Sequence, residues 1–198
     1  FTNFKILIYY FLFFHKYKNK KIKLAMALHS GIFKYNLKTS LGLFLFSILS
    51  LKLDYLVYGS NSSKKWWVKL FPWMKMIKNK VIFNGIEQNR GKKEKKSFIN
   101  VSFIGRLEIE NDPKLFMDIC SSNQKNKNLK FNVFGDGSLK KIINNKNNVK
   151  FWGWTQKEEI YNNTDITIIT SPLNNFPYVA LESNSYGIPV ITAAKGDI

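Results

Sequence analysis

Cysteine is nearly missing from these 198 residues, and Cys120 stands alone. That excludes an internal disulfide framework and a cysteine-built zinc site, and it fits a reducing cytoplasm. Arginine is almost as scarce, with only Arg90 and Arg106 among 31 basic residues. Acids are few as well: 13 Asp and Glu leave a formal net charge of +18. Such an excess points to anionic partners, whether phosphates, acidic lipid headgroups or nucleic acid. It also has a plainer reading. Lysine carries nearly all of it and asparagine is abundant, as an AT-rich genome would produce with the lysines simply solvated. A nucleic-acid surface should gather arginines and aromatics on one exposed face. No such cluster is visible, so no nucleic-acid partner is expected.

Long apolar runs are lacking too. Ile6 to Phe14 and Leu41 to Leu51 fall short of the roughly 20 residues that a membrane-spanning helix needs. Each reads as a buried helix, or as one lying on a membrane surface beside its lysine neighbours. No small-residue cleavage site follows Phe14, so a signal peptide is not expected. The expectation is a cytoplasmic protein, with peripheral contact at the inner face of an anionic membrane left open. The chain starts at Phe1 and stops at Ile198, and is expected to be part of a longer protein. What it does have is apolar material: 45% hydrophobic residues are enough for a sizeable core.

The pattern changes along the chain. The first part reads as a helix to about Lys21, a strand from Ile22 to Leu28 ending at His29, and an apolar helix from about Thr39 to Leu51. A strand at Tyr55 to Tyr58 then runs into Gly59-Ser60-Asn61-Ser62-Ser63, a turn able to cap the helix that carries Trp66 and Trp67. A short strand at Val81 to Phe83 stops at Asn84-Gly85. Residues 89–97 are basic, polar and aperiodic. They read as a linker between residues 1–88 and 98–198, or as a solvated loop within one domain. Beyond them, short apolar strands are expected at Ile99 to Ile104, Phe131 to Phe134, Val149 to Trp152, Ile166 to Thr170 and Val190 to Thr192. Helices are expected between them, near Pro113 to Ser121, Ser138 to Asn144, Lys157 to Asn162 and Val179 to Tyr186. That alternation predicts a doubly wound α/β parallel sheet.

A sheet of this kind binds ligands outside the carboxyl ends of its strands. Gly105-Arg106 follows the first strand. The guanidinium can grip a phosphate through two hydrogen bonds, or pair with Glu108 or Glu110. Gly135-Asp136-Gly137-Ser138 follows the second. It reads as a phosphate-cradling turn at a helix start, or as an ordinary tight turn. Gly153-Trp154-Thr155 follows the third and could hold a base edge, or be a surface turn. After the fourth, a helix beginning between Pro177 and Val179 would aim free N–H groups at the same crevice. Glu182 sits near its start, a carboxylate beside an apolar run and in need of a partner. Either a ligand's vicinal hydroxyls supply that partner, or Glu182 caps its own helix or is exposed.

These segments, in this order, resemble a known family. Phe103-Ile104-Gly105-Arg106-Leu107 is followed by Phe131 through Gly137, then by Val149-Lys150-Phe151-Trp152-Gly153. Tyr161, Asp165 and Ser171-Pro172 come next, then Phe176-Pro177-Tyr178-Val179-Ala180-Leu181-Glu182 and Gly187-Ile188-Pro189-Val190-Ile191. Together they resemble the nucleotide-binding domain of family 4 glycosyltransferases, which have the GT-B fold of two Rossmann-like domains. Upstream, Tyr58-Gly59-Ser60-Asn61 and Val81 through Glu87 resemble the end of that family's N-terminal domain.

The resemblance implies a retaining transferase that moves a sugar from a nucleotide-diphosphate-sugar donor to a saccharide or lipid-linked acceptor, in cell-surface polysaccharide or glycolipid synthesis. It implies no metal and no cofactor beyond the sugar nucleotide itself. Residues 1–88 would be the remainder of the acceptor-side domain, and residues 98–198 a truncated donor domain. Arg106 and the helix start at Phe176, Pro177, Tyr178 and Val179 would neutralise the diphosphate. Glu182 would bind the ribose, and the Gly153-Trp154 loop the base. His29 would face the transferred sugar.

Two positions depart from the family pattern. The carboxylate expected eight residues before Glu182 is Asn174, and the lysine expected five residues after Arg106 is Asn111. Neutral amides there supply no field to a charged transition state. Each loss costs about 1–3 kcal/mol, the range for a charge-assisted hydrogen bond. The alternative that follows is a homologue of the same fold that binds a sugar nucleotide with weakened or no turnover.

Overall fold

The computed structural model describes residues 23–28, 37–89, 97–143, 148–175, 177–192 and 195–197, and the side chains of 37–39, 173–175 and 195–197 are not among what it describes. His29, Phe176 and most of the basic stretch 89–97 therefore lie outside the described residues, as does the helix expected before Lys21. The chain divides into two units, with the division between Phe83 and Asn84.

In the first unit, β1 (Ala25–Leu28), β2 (Tyr55–Tyr58) and β3 (Asn79–Val81) form a parallel sheet in that order. Helix α1 (Leu37–Leu49) follows β1 and helix α2 (Asn61–Leu70) follows β2. Ser60 caps α2 as its turn sequence predicts, its side chain accepting the Ser63 N–H at 3.0 Å. The strand expected at Val81 to Phe83 lies two residues earlier, because Leu56 N–H bonds to Lys78 O and pairs β2 with Asn79 onward. Leu28, Leu43, Phe46, Leu56, Trp67 and Met74 form the core.

In the second unit, β4 (Ile99–Ile104), β5 (Leu129–Phe134), β6 (Val149–Gly153), β7 (Ile166–Ile169) and β9 (Val190–Thr192) make an all-parallel sheet in the order β6-β5-β4-β7-β9. Numbered within the unit, that order is 3-2-1-4-5, the order of a Rossmann-type sheet, which reverses between its first and fourth strands. The connecting helices are α3 (Pro113–Ser122), α4 (Lys157–Asn162) and α5 (Tyr178–Ser185). Val101, Phe103, Phe116, Phe131 and Val133 fill the space between sheet and helix, with the Phe116 ring packed edge-on to Phe131.

Two features depart from the sequence reading. The helix expected from Ser138 to Asn144 is a 3-10 turn at Lys140–Ile142. A two-stranded sheet pairs β8 (Leu173–Asn175) with β10 (Lys195–Asp197), where no strand was expected.

Polar pins hold α4 and α5 to the sheet. Ser102 on β4 and Thr164 share a buried hydrogen bond of 2.8 Å. Thr167 on β7 and Ser183 on α5 share another of the same length. The second pin fixes the helix one residue beyond Glu182, so the rotation of α5 is set by the sheet. Both chain halves are thus α/β with parallel sheets, as the alternation predicts for the second half and the family resemblance implies for the first.

Candidate functional site

The carboxyl ends of β4, β5 and β6 are laced by their glycines. Gly105 N–H donates to Phe134 O at 3.0 Å, and Gly135 N–H donates to Gly153 O at 2.7 Å. Gly135 has φ +126°, and a Cβ there would stand 2.0 Å from the Gly105 carbonyl oxygen. A Cβ on Gly137 would stand 2.5 Å from the Leu107 carbonyl oxygen. The close approach these glycines allow is therefore between protein backbones.

Three of the four backbone N–H groups in the Gly135–Ser138 turn are engaged within the protein. Gly137 N–H reaches the Asp136 carboxylate at 2.8 Å, and Ser138 N–H reaches Glu108 at 2.9 Å. Ser138 Oγ donates to the other Glu108 oxygen at 2.6 Å. The Ser138 hydroxyl and N–H hold the Glu108 carboxyl below its ordinary pKa, and the Gly137 N–H followed by Lys140 does the same for Asp136. A 3-10 turn rather than an α-helix follows it and two carboxylates stand beside it, features that favour the ordinary tight turn among the two readings of its sequence.

Between β4 and β7, where the strand order reverses, the arrangement is different. The Asn111 side-chain amide donates to the Arg106 carbonyl at 2.8 Å, closing the loop that follows β4. Thr170 Oγ1, just past β7, donates to the Asn111 carbonyl at 2.6 Å. Asn111 thus ties the ends of both switch-point strands together. Its amide is engaged with the protein's own backbone. Arg106 is exposed, and among the described residues no carboxylate lies within ion-pairing distance of its guanidinium. Among the described residues no close ion pair with Glu108 or Glu110 forms; Glu108 is hydrogen-bonded by Ser138, and the Arg106 charge acts on it only as a lesser influence that also lowers its pKa.

Helix α5 begins next to this crevice in sequence, after Ser171-Pro172 and β8. Pro177 is its N-cap residue and gives no side-chain cap. Ala180 N–H bonds back to Pro177 O at 3.1 Å. The N–H groups of Tyr178 and Val179 have no acceptor among the described residues. The Tyr178 ring is exposed, its hydroxyl donating to Asn84 Oδ1 at 3.1 Å.

Glu182 lies one turn further on, at the fifth position of α5. It already has two partners. The Tyr161 hydroxyl donates to one carboxylate oxygen at 2.8 Å, and Lys157 Nζ stands 3.2 Å from the other. Tyr161 is buried and stacks on Tyr186 with ring centroids 4.7 Å apart. Burial, and then the Glu182 hydrogen bond, push its hydroxyl far above the ordinary tyrosine range. It is therefore a donor at any physiological pH. The carboxylate is neither a helix cap nor unpartnered. About a quarter of its side chain, 27%, stays open to solvent.

Lys157, Thr170 and the Glu108–Ser138 clamp were not foreseen. Lys157 and Tyr161 are four apart on α4 and so share one face, a spacing that could have suggested a common target. Of the remaining expected contacts, Trp154 is 82% exposed beyond Gly153, and Asn174 falls within β8. Among the described residues no three His, Cys, Asp or Glu gather into a group able to hold a metal, and no helix is long and apolar enough to cross a membrane.

Comparison with known proteins gives a consistent picture. Residues 85–198 match the family model described as "Glycosyl transferases group 1". A Klebsiella pneumoniae sequence, an uncharacterized 41.2 kDa protein in the cps region, is 28% identical over 132 residues, covering 60% of this chain and 36% of that one. The crystal structure of Anabaena Alr3699/HepE in complex with UDP and glucose superposes with a TM-score of 0.73 at 18% identity, over 96% of this chain and 57% of that chain. A TarM structure from S. aureus, in complex with fondaparinux, α-GlcNAc-glycerol and UDP, gives 0.72 at 16% identity, over 87% and 37%. The chain thus spans between about a third and somewhat over half the length of these relatives, and it shares their GT-B fold.

Proposed function

The chain belongs to the group 1 glycosyl transferases, and on that premise we propose that it is a retaining, family 4 type transferase using a nucleotide-diphosphate sugar. The observation that carries this reading is the switch point. The loop after β4 carries the exposed Arg106 and is bonded through Asn111 to Thr170, just past the end of β7, from which the chain runs on to α5. Arg106 and the N–H groups of Tyr178 and Val179, which have no acceptor among the described residues, would receive the diphosphate, as guanidinium and helix start both favour an anion. Such fixed charge and dipole are what stabilise a leaving diphosphate when it departs.

Glu182 would accept hydrogen bonds from the ribose hydroxyls on the lone pairs that Tyr161 and Lys157 leave open. Trp154, beyond the end of β6, would meet the base. Phe176, Asn174 and His29 complete the proposed set from the family resemblance alone. Gly105, Gly135 and Gly137, the other expected donor-site residues, would shape the rim of the crevice, where their backbones pack against one another and against Leu107. UDP in the Anabaena and S. aureus relatives supports a uridine donor. The cps-region relative supports a role in cell-surface polysaccharide synthesis. A saccharide acceptor fits both, and a lipid-linked one would bring the enzyme to an anionic membrane.

One observation favours a second reading, a sugar-nucleotide binder without turnover: the Asn111 amide is committed to the Arg106 carbonyl and offers the diphosphate no cation. Transfer from labelled UDP- and GDP-sugars by the full-length protein separates the two, with Asn174→Glu as the comparison. The enzyme reading expects transfer by the native protein. Transfer by Asn174→Glu alone would leave the second reading standing.

A further inference from the structure

Lys157 opens helix α4, where the positive end of the helix dipole disfavours a cation. The same first turn holds the acids that suit that place, Glu158 and Glu159. Yet the Lys157 ammonium pairs across to another helix, 3.2 Å from Glu182 on α5. A residue that goes against its local preference, with no local gain, marks a place where function sets the choice. Holding the two helices together is not that function. Thr164, just past α4, is bonded to Ser102 of β4, and Ser183 of α5 to Thr167 of β7, both by buried hydrogen bonds of 2.8 Å. The ion pair itself is partly open to water, with 36% of the lysine side chain and 27% of the glutamate exposed. A pair in that setting adds little to stability.

What the lysine changes is charge. Glu182 lies on α5 one helical turn, about 5.4 Å of rise, beyond Tyr178 and Val179, whose N–H groups would receive a diphosphate. An uncompensated carboxylate there sets a negative charge against a negative ligand, and partly buried charges are screened less than exposed ones. Tyr161, the other partner of Glu182, is neutral and cancels none of that charge. The loop after β4 brings a single cation, Arg106, because Asn111 is a neutral amide bonded to the Arg106 carbonyl. Lys157 adds a second positive charge, on the ribose side. It enters from the same β6–α4 connection that carries Trp154, so base, ribose and charge balance would be read by neighbouring residues.

We propose that Lys157 is a specificity-determining residue: by neutralising Glu182 it lets the start of α5 take ribose hydroxyls and a diphosphate together, and so selects phosphorylated nucleotides over the free nucleoside. This role rests on the function proposed above, and on contacts within the second unit alone.

Titration of UDP, UMP and uridine into the full-length protein and its variants tests it. Lys157→Met keeps most of the side chain and removes the charge. The proposal expects it to weaken UDP about tenfold and uridine less than about twofold, with UMP between them. The UDP loss should shrink as salt is raised. Lys157→Arg keeps the charge and should hold UDP within about twofold of the native protein. Tyr161→Phe removes the neutral partner of the same carboxylate and should weaken all three ligands alike. A Lys157→Met loss that does not grow with the number of phosphates overturns the proposal, as does native UDP affinity in Lys157→Met. A Lys157→Arg loss equal to that of Lys157→Met also overturns it, and so does a large fall in thermal stability on Lys157→Met, which would make the lysine structural. If the native protein binds no UDP, this role and the proposed function fall together. If Glu182→Gln weakens UDP and Lys157→Met does not, only the role of Lys157 falls.

Discussion

Tyr161 Oη donates a 2.8 Å hydrogen bond to the Glu182 carboxylate. The acid closing the Phe176–Glu182 segment is therefore held by the protein before any ligand arrives. Lys157 takes the second oxygen, and the Thr167–Ser183 bond fixes the helix beside it. Preorganisation of this kind lets a ligand hydroxyl meet an acceptor whose orientation is already set. Tyr161→Phe removes the donor but keeps the ring and its stack on Tyr186. A hydrogen bond to a charged group is worth about 1.5–3 kcal/mol. Part of that is recovered from solvent here, so a loss of about 1–2 kcal/mol in urea unfolding is expected, with weaker UDP binding.

Gly135 is the tightest point of the second unit. A Cβ would fall 2.0 Å from the Gly105 carbonyl oxygen at φ +126°. Neither partner is the flexible end of a side chain, so backbone must move. Gly135→Ala should destabilise by about 3 kcal/mol or more, from overpacking and an unfavourable φ together. Thermal unfolding checks this, and Gly85→Ala, which meets nothing within 4 Å, is the control.

Tyr58 is fully buried on β2, and among the described residues its hydroxyl has no hydrogen-bond partner. An unsatisfied buried hydroxyl costs about 1–3 kcal/mol, so Tyr58→Phe should stabilise the protein by up to that amount. The same burial raises the Tyr58 pKa from 10.0 to about 12. Above pH 10 the unfolded chain loses this proton while the folded chain keeps it. Stability from Tyr58 is thus complete below pH 10 and falls as pH rises to about 12. The slope is about 1.4 kcal/mol per pH unit. Denaturant unfolding between pH 9 and 12 should show this fall, reduced in Tyr58→Phe.

Asn111 joins the two strands of the switch point. Thr170→Val deletes the bond to its carbonyl, and Asn111→Ala deletes the bond to Arg106. Each should cost about 1 kcal/mol, the net worth of a neutral hydrogen bond. If Asn111 acts only through loop shape, both should weaken UDP binding by a similar factor. Calorimetry on the two variants measures this.

Much of the second unit was legible because its strands carry their own signal. Ile99–Ile104 and Phe131–Phe134 are short, largely apolar and run into a glycine, and parallel strands buried on both faces read that way. Ser60 was legible as a cap because capping chemistry is local. Ser138 to Asn144 misled, because its helical appearance yields to Ser138 bonding Glu108, thirty positions away in sequence. Leu173–Asn175 looked like loop after Pro172, since a strand of three residues has too little periodicity to register. The site divides in the same way. Arg106 and Glu182 could be picked out by residue type and position. That Asn111 clamps a loop, and that Glu182 is held by Tyr161 and Lys157, depends on side chains meeting across elements, which no spacing in the sequence encodes.

The account turns on the crevice between β4 and β7 being a nucleotide-diphosphate site. Isothermal titration of UDP into the full-length protein, and into Arg106→Ala and Glu182→Gln, addresses it most directly. We expect saturable one-site binding, weakened at least tenfold by either substitution while both variants stay folded. Native-strength UDP binding in both variants would contradict it.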